Sequence, residues 1–85
     1  MIKLDVKTKK KLNLSFDELA LLIELEDLNG QEFKAVDMYK YLGVSKVTYY
    51  NQLNRLSNKG YIIKGHGKYR ITDKIYNQLN NKQHD

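Results

Sequence analysis

Leu42-Gly43-Val44-Ser45-Lys46 is the stretch whose reading decides the fold. Gly43 supplies the positive φ that a sharp turn needs, and Ser45, two residues on, is placed to cap a new helix through its hydroxyl. Two helices therefore meet here. Before the turn, residues 35–42 place Val36, Met38, Tyr39 and Leu42 at spacings that face a core; after it, a second helix runs from residue 46 to about 58. Along that second helix Tyr49, Leu53 and Leu56 follow i, i+4, i+7 as a buried stripe. Lys46, Val47, Thr48, Tyr50, Asn51, Asn54 and Arg55 are left pointing outward or sideways. Asn58-Lys59-Gly60 closes the helix with a cation near its end and a glycine after it. Residues 61–64 and 68–71 then read as two strands around Gly65-His66-Gly67, a loop short enough for a tight hairpin.

Working outward, Ser15-Phe16-Asp17-Glu18 has the S-x-x-E form of a capping box, so a first helix begins there. Phe16, Leu19, Leu22, Ile23 and Leu25 or Leu28 recur near helical spacing, Glu24, Glu26 and Asp27 fill the other face, and Asn29-Gly30 supplies a left-handed stop. Residues 31–34 have the length of a single bridging strand. Past the hairpin, Thr72 can cap a short last helix from Asp73 to about Asn80, with Ile75, Tyr76 and Leu79 as its apolar contacts. At the amino end Ile2, Leu4 and Val6 alternate as in a strand, and residues 7–11 hold four lysines in five positions. That basic run reads either as a flexible arm or as a solvated turn between strands at 2–6 and 12–14; the turn is the favoured structure, with its lysines still able to help attract a polyanion. The expected organisation is an amino-terminal strand or basic arm at 1–14, one α+β domain at 15–80 and a frayed tail at 81–85.

The chain has 85 residues, 41% of them apolar, which suffices for one small domain and leaves little room for a catalytic pocket with its own supporting residues. No enzyme activity and no cofactor are expected. Cysteine is absent, and the two histidines stand eighteen positions apart, so neither disulfides nor a metal site is expected. No apolar run approaches the roughly 20 residues of a membrane span, and the amino terminus lacks a signal-peptide pattern, so a cytoplasmic protein is expected. The net charge is +5, and it is unevenly spread: residues 38–82 carry nine Lys or Arg against Asp73 alone, while residues 12–37 carry seven acids against Lys34 alone. Such polarity gives one side of a small domain a field suited to a polyanion, most commonly nucleic acid.

From Phe33 to Thr72 the chain resembles the winged helix-turn-helix superfamily, in particular small prokaryotic, plasmid and viral regulators. The residues that carry the resemblance are Met38-Tyr39-Lys40-Tyr41-Leu42-Gly43-Val44-Ser45, Val47-Thr48-Tyr49-Tyr50, Leu53-Asn54-Arg55-Leu56-Ser57-Asn58-Lys59-Gly60-Tyr61-Ile62 and Tyr69-Arg70-Ile71-Thr72. Two features depart from the usual pattern. Tyrosines occupy positions 39 and 49, where many relatives have smaller or aliphatic residues, and the wing is short.

The resemblance implies a three-helix core with a hairpin wing and a short last helix, binding double-stranded DNA with the 46–58 helix in the major groove. Ser45, Lys46, Val47, Thr48, Tyr50, Asn51, Asn54 and Arg55 are its candidate contacts. Asn51 and Asn54 match the donor and acceptor pattern of an adenine edge, Arg55 suits a phosphate or guanine, Val47 and the Thr48 methyl suit thymine methyls, and Tyr50 suits a phosphate or a base face. On the wing, Lys64, His66, Lys68 and Arg70 suit backbone phosphates. His66 has no evident partner to orient it, so it reads as a hydrogen bonder at the hairpin tip and not as a general base. Asp17-Glu18 and Glu24-Glu26-Asp27 read as capping and a solvated face.

The function expected is sequence-specific DNA binding, as a transcriptional regulator acting as a homodimer on half-sites about one helical turn apart. The apolar faces near residues 2–6 and 75–79 are the available dimer surfaces. Two other classes share this pattern: a replication or plasmid-segregation protein that coats repeated sites, and a winged-helix protein-interaction module such as a viral inhibitor.

Overall fold

The structure, a computed structural model, describes residues 2–28, 35–65 and 68–80, with the backbone alone at 35–37 and 68. In chain order it contains α1 (Val6–Leu12), α2 (Phe16–Asp27), α3 (Ala35–Leu42), α4 (Lys46–Asn58), β1 (Ile62–Gly65), β2 (Lys68–Ile71) and α5 (Asp73–Leu79). The helical core with its two-stranded hairpin and final helix is the α+β winged-helix arrangement expected.

The amino-terminal segment is neither a strand nor an arm. Residues 6–12 are helical because both ends carry local closures. Asp5 stays extended and accepts the Thr8 N–H at 2.8 Å, and Asn13 adopts φ 55° to end the helix. Asn13 N–H then donates to Lys10 O and Leu14 N–H to Lys9 O, the paired bonds of a Schellman closure. The lysines that suggested a solvated turn are good helix formers, and three of them in the last turn complement the negative end of the helix. The apparent alternation also breaks: Ile2 is buried, whereas Leu4 and Val6 stay exposed.

Two more helices end in the same way, this time with glycine. Gly43 (φ 71°) ends α3, with Val44 N–H donating to Tyr39 O, and Gly60 (φ 79°) follows α4, with Tyr61 N–H donating to Leu56 O. Ser15 opens α2 with both halves of the capping box formed, Glu18 N–H to Ser15 Oγ and Ser15 N–H to Glu18 Oε1. The stop expected at Asn29-Gly30 and the strand expected at 31–34 lie outside the described residues, as does the tail at 81–85.

The core gathers Leu12 and Leu14, four leucines of α2 (Leu19, Leu21, Leu22, Leu25), Met38 of α3, Tyr49, Leu53 and Leu56 of α4, Ile62 and Ile71 of the hairpin, and Ile75 of α5. Tyr49, Leu53 and Leu56 form the stripe read from their spacing. Tyr39 and Tyr49 stand with ring centroids 6.1 Å apart, and Tyr50 meets Tyr49 edge-on at 5.1 Å, so the unusual aromatics at 39 and 49 pack on each other. Tyr49 is wholly buried, its hydroxyl has no hydrogen-bond partner among the described residues, and burial pushes its ionisation far up.

The strands pair antiparallel with Ile62 opposite Ile71, Ile63 opposite Arg70, Lys64 opposite Tyr69 and Gly65 opposite Lys68. Period-two alternation puts Ile62 and Ile71 on the core face and Ile63 and Arg70 on the solvent face. Thr72 does stand at the start of α5, but its hydroxyl makes no cap; it donates to Gly60 O at 2.6 Å, while Thr72 N–H bonds Tyr61 O.

α1 and α5 pack against each other, and three long-range bonds hold the ends to the body. Tyr61 Oη donates to Leu12 O, Tyr76 Oη to Glu26 Oε2, and Ile2 N–H to Glu26 Oε1. Burial and the bond to Glu26 push the Tyr76 hydroxyl up to about 12. The terminal apolar faces offered as dimer surfaces are thus largely spent inside the domain: Ile2 and Ile75 are buried, and only Leu4 and Val6 remain exposed.

Candidate nucleic-acid interface

The turn between α3 and α4 fixes the direction in which α4 leaves the body. Ser45 keeps an extended backbone, accepts the Thr48 N–H at 3.1 Å and donates its own hydroxyl to Thr48 Oγ1 at 2.9 Å. The cap therefore also fixes Thr48, one of the outward residues. Ser45, expected as a contact, has a structural role as this cap and stays exposed.

With 3.6 residues per turn, Val47, Asn51 and Asn54 fall on one stripe directly opposite Tyr49, Leu53 and Leu56. All three are exposed, Val47 to 71%. An apolar side chain so open at the start of a polar helix face gains nothing from folding, whereas it can gain from a thymine methyl. Neither asparagine side chain bonds another described residue, so both keep their donors and acceptors for an outside partner.

Two flanks border this stripe. On one, Tyr50 is half-buried against Tyr49 and Lys46 is exposed. On the other, Thr48 and Arg55 face an open groove of about 330 Å³, whose far wall is the α1–α2 turn, Asn13, Leu14 and Ser15, with Glu18 below and Gln52 between. The sequence places Arg55 outward or sideways, within reach of a phosphate or guanine. It is 63% exposed, yet its Nε lies 2.7 Å from Glu18 Oε2, and the Glu18 side chain is only 4% exposed. Glu18 is thus a buried partner of α4 as well as a cap, not part of a solvated acidic face. Gln52, also buried, was not foreseen; its place at i+3 from Tyr49, beside the stripe, was the available signal.

The hairpin is packed against α4 through β1. Lys64 and Arg70 are exposed, as the wing reading requires. His66 and the side chain of Lys68 lie outside the described residues. The cations elsewhere are differently employed: Lys74 Nζ donates to Lys59 O and sits over the Tyr61 ring, and Lys9 sits over Phe16. Among the described residues no group of three or more His, Asp or Glu could hold a metal, and no helix is long and apolar enough to cross a membrane.

No curated protein and no solved structure matches the chain. A family model does: the DeoR-like helix-turn-helix domain, over residues 25–75, from the last turn of α2 through the α3–α4 turn and the hairpin into α5. That span is more than half of the chain and contains the capped turn, the outward face of α4 and the wing, so the chain belongs to the DeoR-like helix-turn-helix family, a winged DNA-binding module.

Proposed function

We propose that this domain reads a specific sequence in double-stranded DNA and regulates transcription, with two copies acting together on related half-sites. The observation that carries the reading is the stripe of Val47, Asn51 and Asn54, exposed and without hydrogen-bond partners among the described residues, on the helix that the family inserts into the major groove. Lys46 and Arg55 beside it, with Lys64, Lys68 and Arg70 of the wing, supply charge for backbone phosphates. Ser45, Thr48 and Tyr50 sit where they support or extend those contacts, and His66 is assigned with the wing residues as a hydrogen bonder. The need for two copies follows from size, because one helix of this length reads few base pairs. Exposed Leu4 and Val6 offer apolar surface for association.

Selection of bound fragments from a random duplex pool tests the reading. A short recurrent motif, present twice at a spacing of about one turn, is the expected result. Recovery of fragments without any shared sequence would reduce the protein to a non-specific DNA binder.

A further inference from the structure

Glu18 is the only charged side chain buried among the described residues, and it lies in α2 ahead of the residues that the family match covers. It serves two partners at once. Oε1 accepts Ser15 N–H at 2.8 Å and closes the capping box; Oε2 is cut off from solvent, has no aligned hydrogen-bond donor among the described residues, and lies 2.7 Å from Arg55 Nε. With its side chain 4% exposed, this carboxylate cannot itself reach DNA, but the arginine it holds is 63% exposed and stands in the same groove wall as Thr48 and Asn51.

We infer that Glu18 is a positioning residue for DNA recognition: it anchors Arg55 by Nε, so that the outer edge of the guanidinium is held beside Asn51 and Asn54 and presented to a guanine edge or a phosphate. The inference rests on the DNA-reading role of α4. Its physical basis is that a long arginine side chain loses rotamer freedom when it docks, and a carboxylate already fixed by a helix cap removes much of that loss in the free protein. The ion pair at Nε localises the guanidinium on one side and leaves its outer edge open for a bidentate contact. The alternative is plain electrostatics, and it has the opposite sign. A negative charge beneath the interface repels phosphates, so removing it would strengthen binding to any DNA.

Glu18→Gln separates the two, because glutamine also serves in a capping box and keeps the Ser15 bond while losing the charge. Wild type, Glu18→Gln, Arg55→Ala and the double variant are titrated against a selected duplex and a random one. Glu18→Gln is expected to weaken the selected duplex by about fivefold or more, to leave random DNA unchanged or slightly tighter, and to cost nothing further once Arg55 is alanine. Tighter binding to both duplexes alike, or an undiminished loss in the Arg55→Ala background, overturns the inference. Arg55→Lys gives a second arm on an exposed residue and decides the matter if Glu18→Gln does not fold. It keeps the charge but not the fork, so it should lose the same preference while the salt dependence stays; wild-type preference in this variant would mean that orientation is irrelevant. A wild-type protein with no preference between duplexes ends the DNA-reading role itself, and is seen before any variant is made.

Discussion

α1 and α4 are built by the same local rules and use their polar residues in opposite ways. Each begins with a side-chain oxygen accepting an amide three residues on, Asp5 from Thr8 and Ser45 from Thr48, and each is followed by a left-handed residue, Asn13 or Gly60. Each buries an i, i+4 pair, Thr8 and Leu12 in one, Tyr49 and Leu53 in the other. In α1, however, the lysines are partly consumed by the fold: Lys9 covers Phe16, and Lys11 Nζ donates to Leu79 O at the end of α5. In α4 the asparagines bond no other described residue. Lysine density therefore does not by itself separate the two helices; the difference is that the α4 face keeps hydrogen-bonding side chains with no partner among the described residues, and the proposed reading of DNA rests on that face.

The largest effects should be alike in both helices, because their buried sides do the same job. Leu12→Ala and Leu53→Ala are each expected to cost about 2–5 kcal/mol of folding stability by denaturant titration, since both leave a cavity where a fully enclosed leucine stood. A loss under about 1 kcal/mol at Leu12 would mean that α1 is not an integral part of the domain.

The left-handed closures rank next. Gly43→Ala should cost about 1 kcal/mol, all of it backbone strain, because nothing lies within 4 Å of where its Cβ would sit. Asn13→Gly should be neutral or slightly stabilising, since glycine prefers that conformation. If Asn13→Gly were as costly as Gly43→Ala, the closure of α1 would depend on the asparagine side chain and not on the backbone.

Tyr49→Phe should hold or raise stability, by up to about 1 kcal/mol, as it removes a buried hydroxyl that has no partner among the described residues and keeps the ring packing with Tyr39 and Tyr50. Thermal melting reads this directly, and a drop of more than about 1 kcal/mol would reveal a bond to that hydroxyl.

The smallest effect distinguishes α1 from a third DNA contact. Lys10→Ala, at an exposed lysine of α1, should change affinity for selected or random duplex by less than about 0.5 kcal/mol. A loss of about one unit in the slope of log affinity against log salt would show instead that α1 touches phosphate.

How far the sequence could be read follows the same division between local and distant causes. The α3–α4 turn, the span of α4, its buried stripe and the position of β2 depend on Gly43, Ser45, Gly60 and residues a turn or two apart, and all were legible. α1 was locally signalled too, by Asp5 before it and Asn13 after it, but the apparent alternation of Ile2, Leu4 and Val6 outweighed those caps. Leu4 and Val6 have no strand partner among the described residues, and Val6 already belongs to α1. The pairing of Glu18 with Arg55, 37 positions apart, depends on how α2 crosses α4, which no local pattern encodes. Thr72 shows a milder form of the same limit: it stands at a cap position, but Gly60 O, brought close by the hairpin, takes its hydroxyl.

On the proposed reading the outward face of α4 reads bases while the wing supplies only charge, and paired titrations distinguish the two roles. Wild type, Asn51→Ala and Arg70→Ala are measured against selected and random duplexes at several salt concentrations. Asn51→Ala should lose about 1–3 kcal/mol on the selected duplex alone with an unchanged salt slope, because it removes an edge-specific hydrogen bond and no charge. Arg70→Ala should weaken both duplexes alike and lower the slope by about one unit, because one fewer counterion is released. Identical behaviour of the two variants, or no effect from either, would contradict the account.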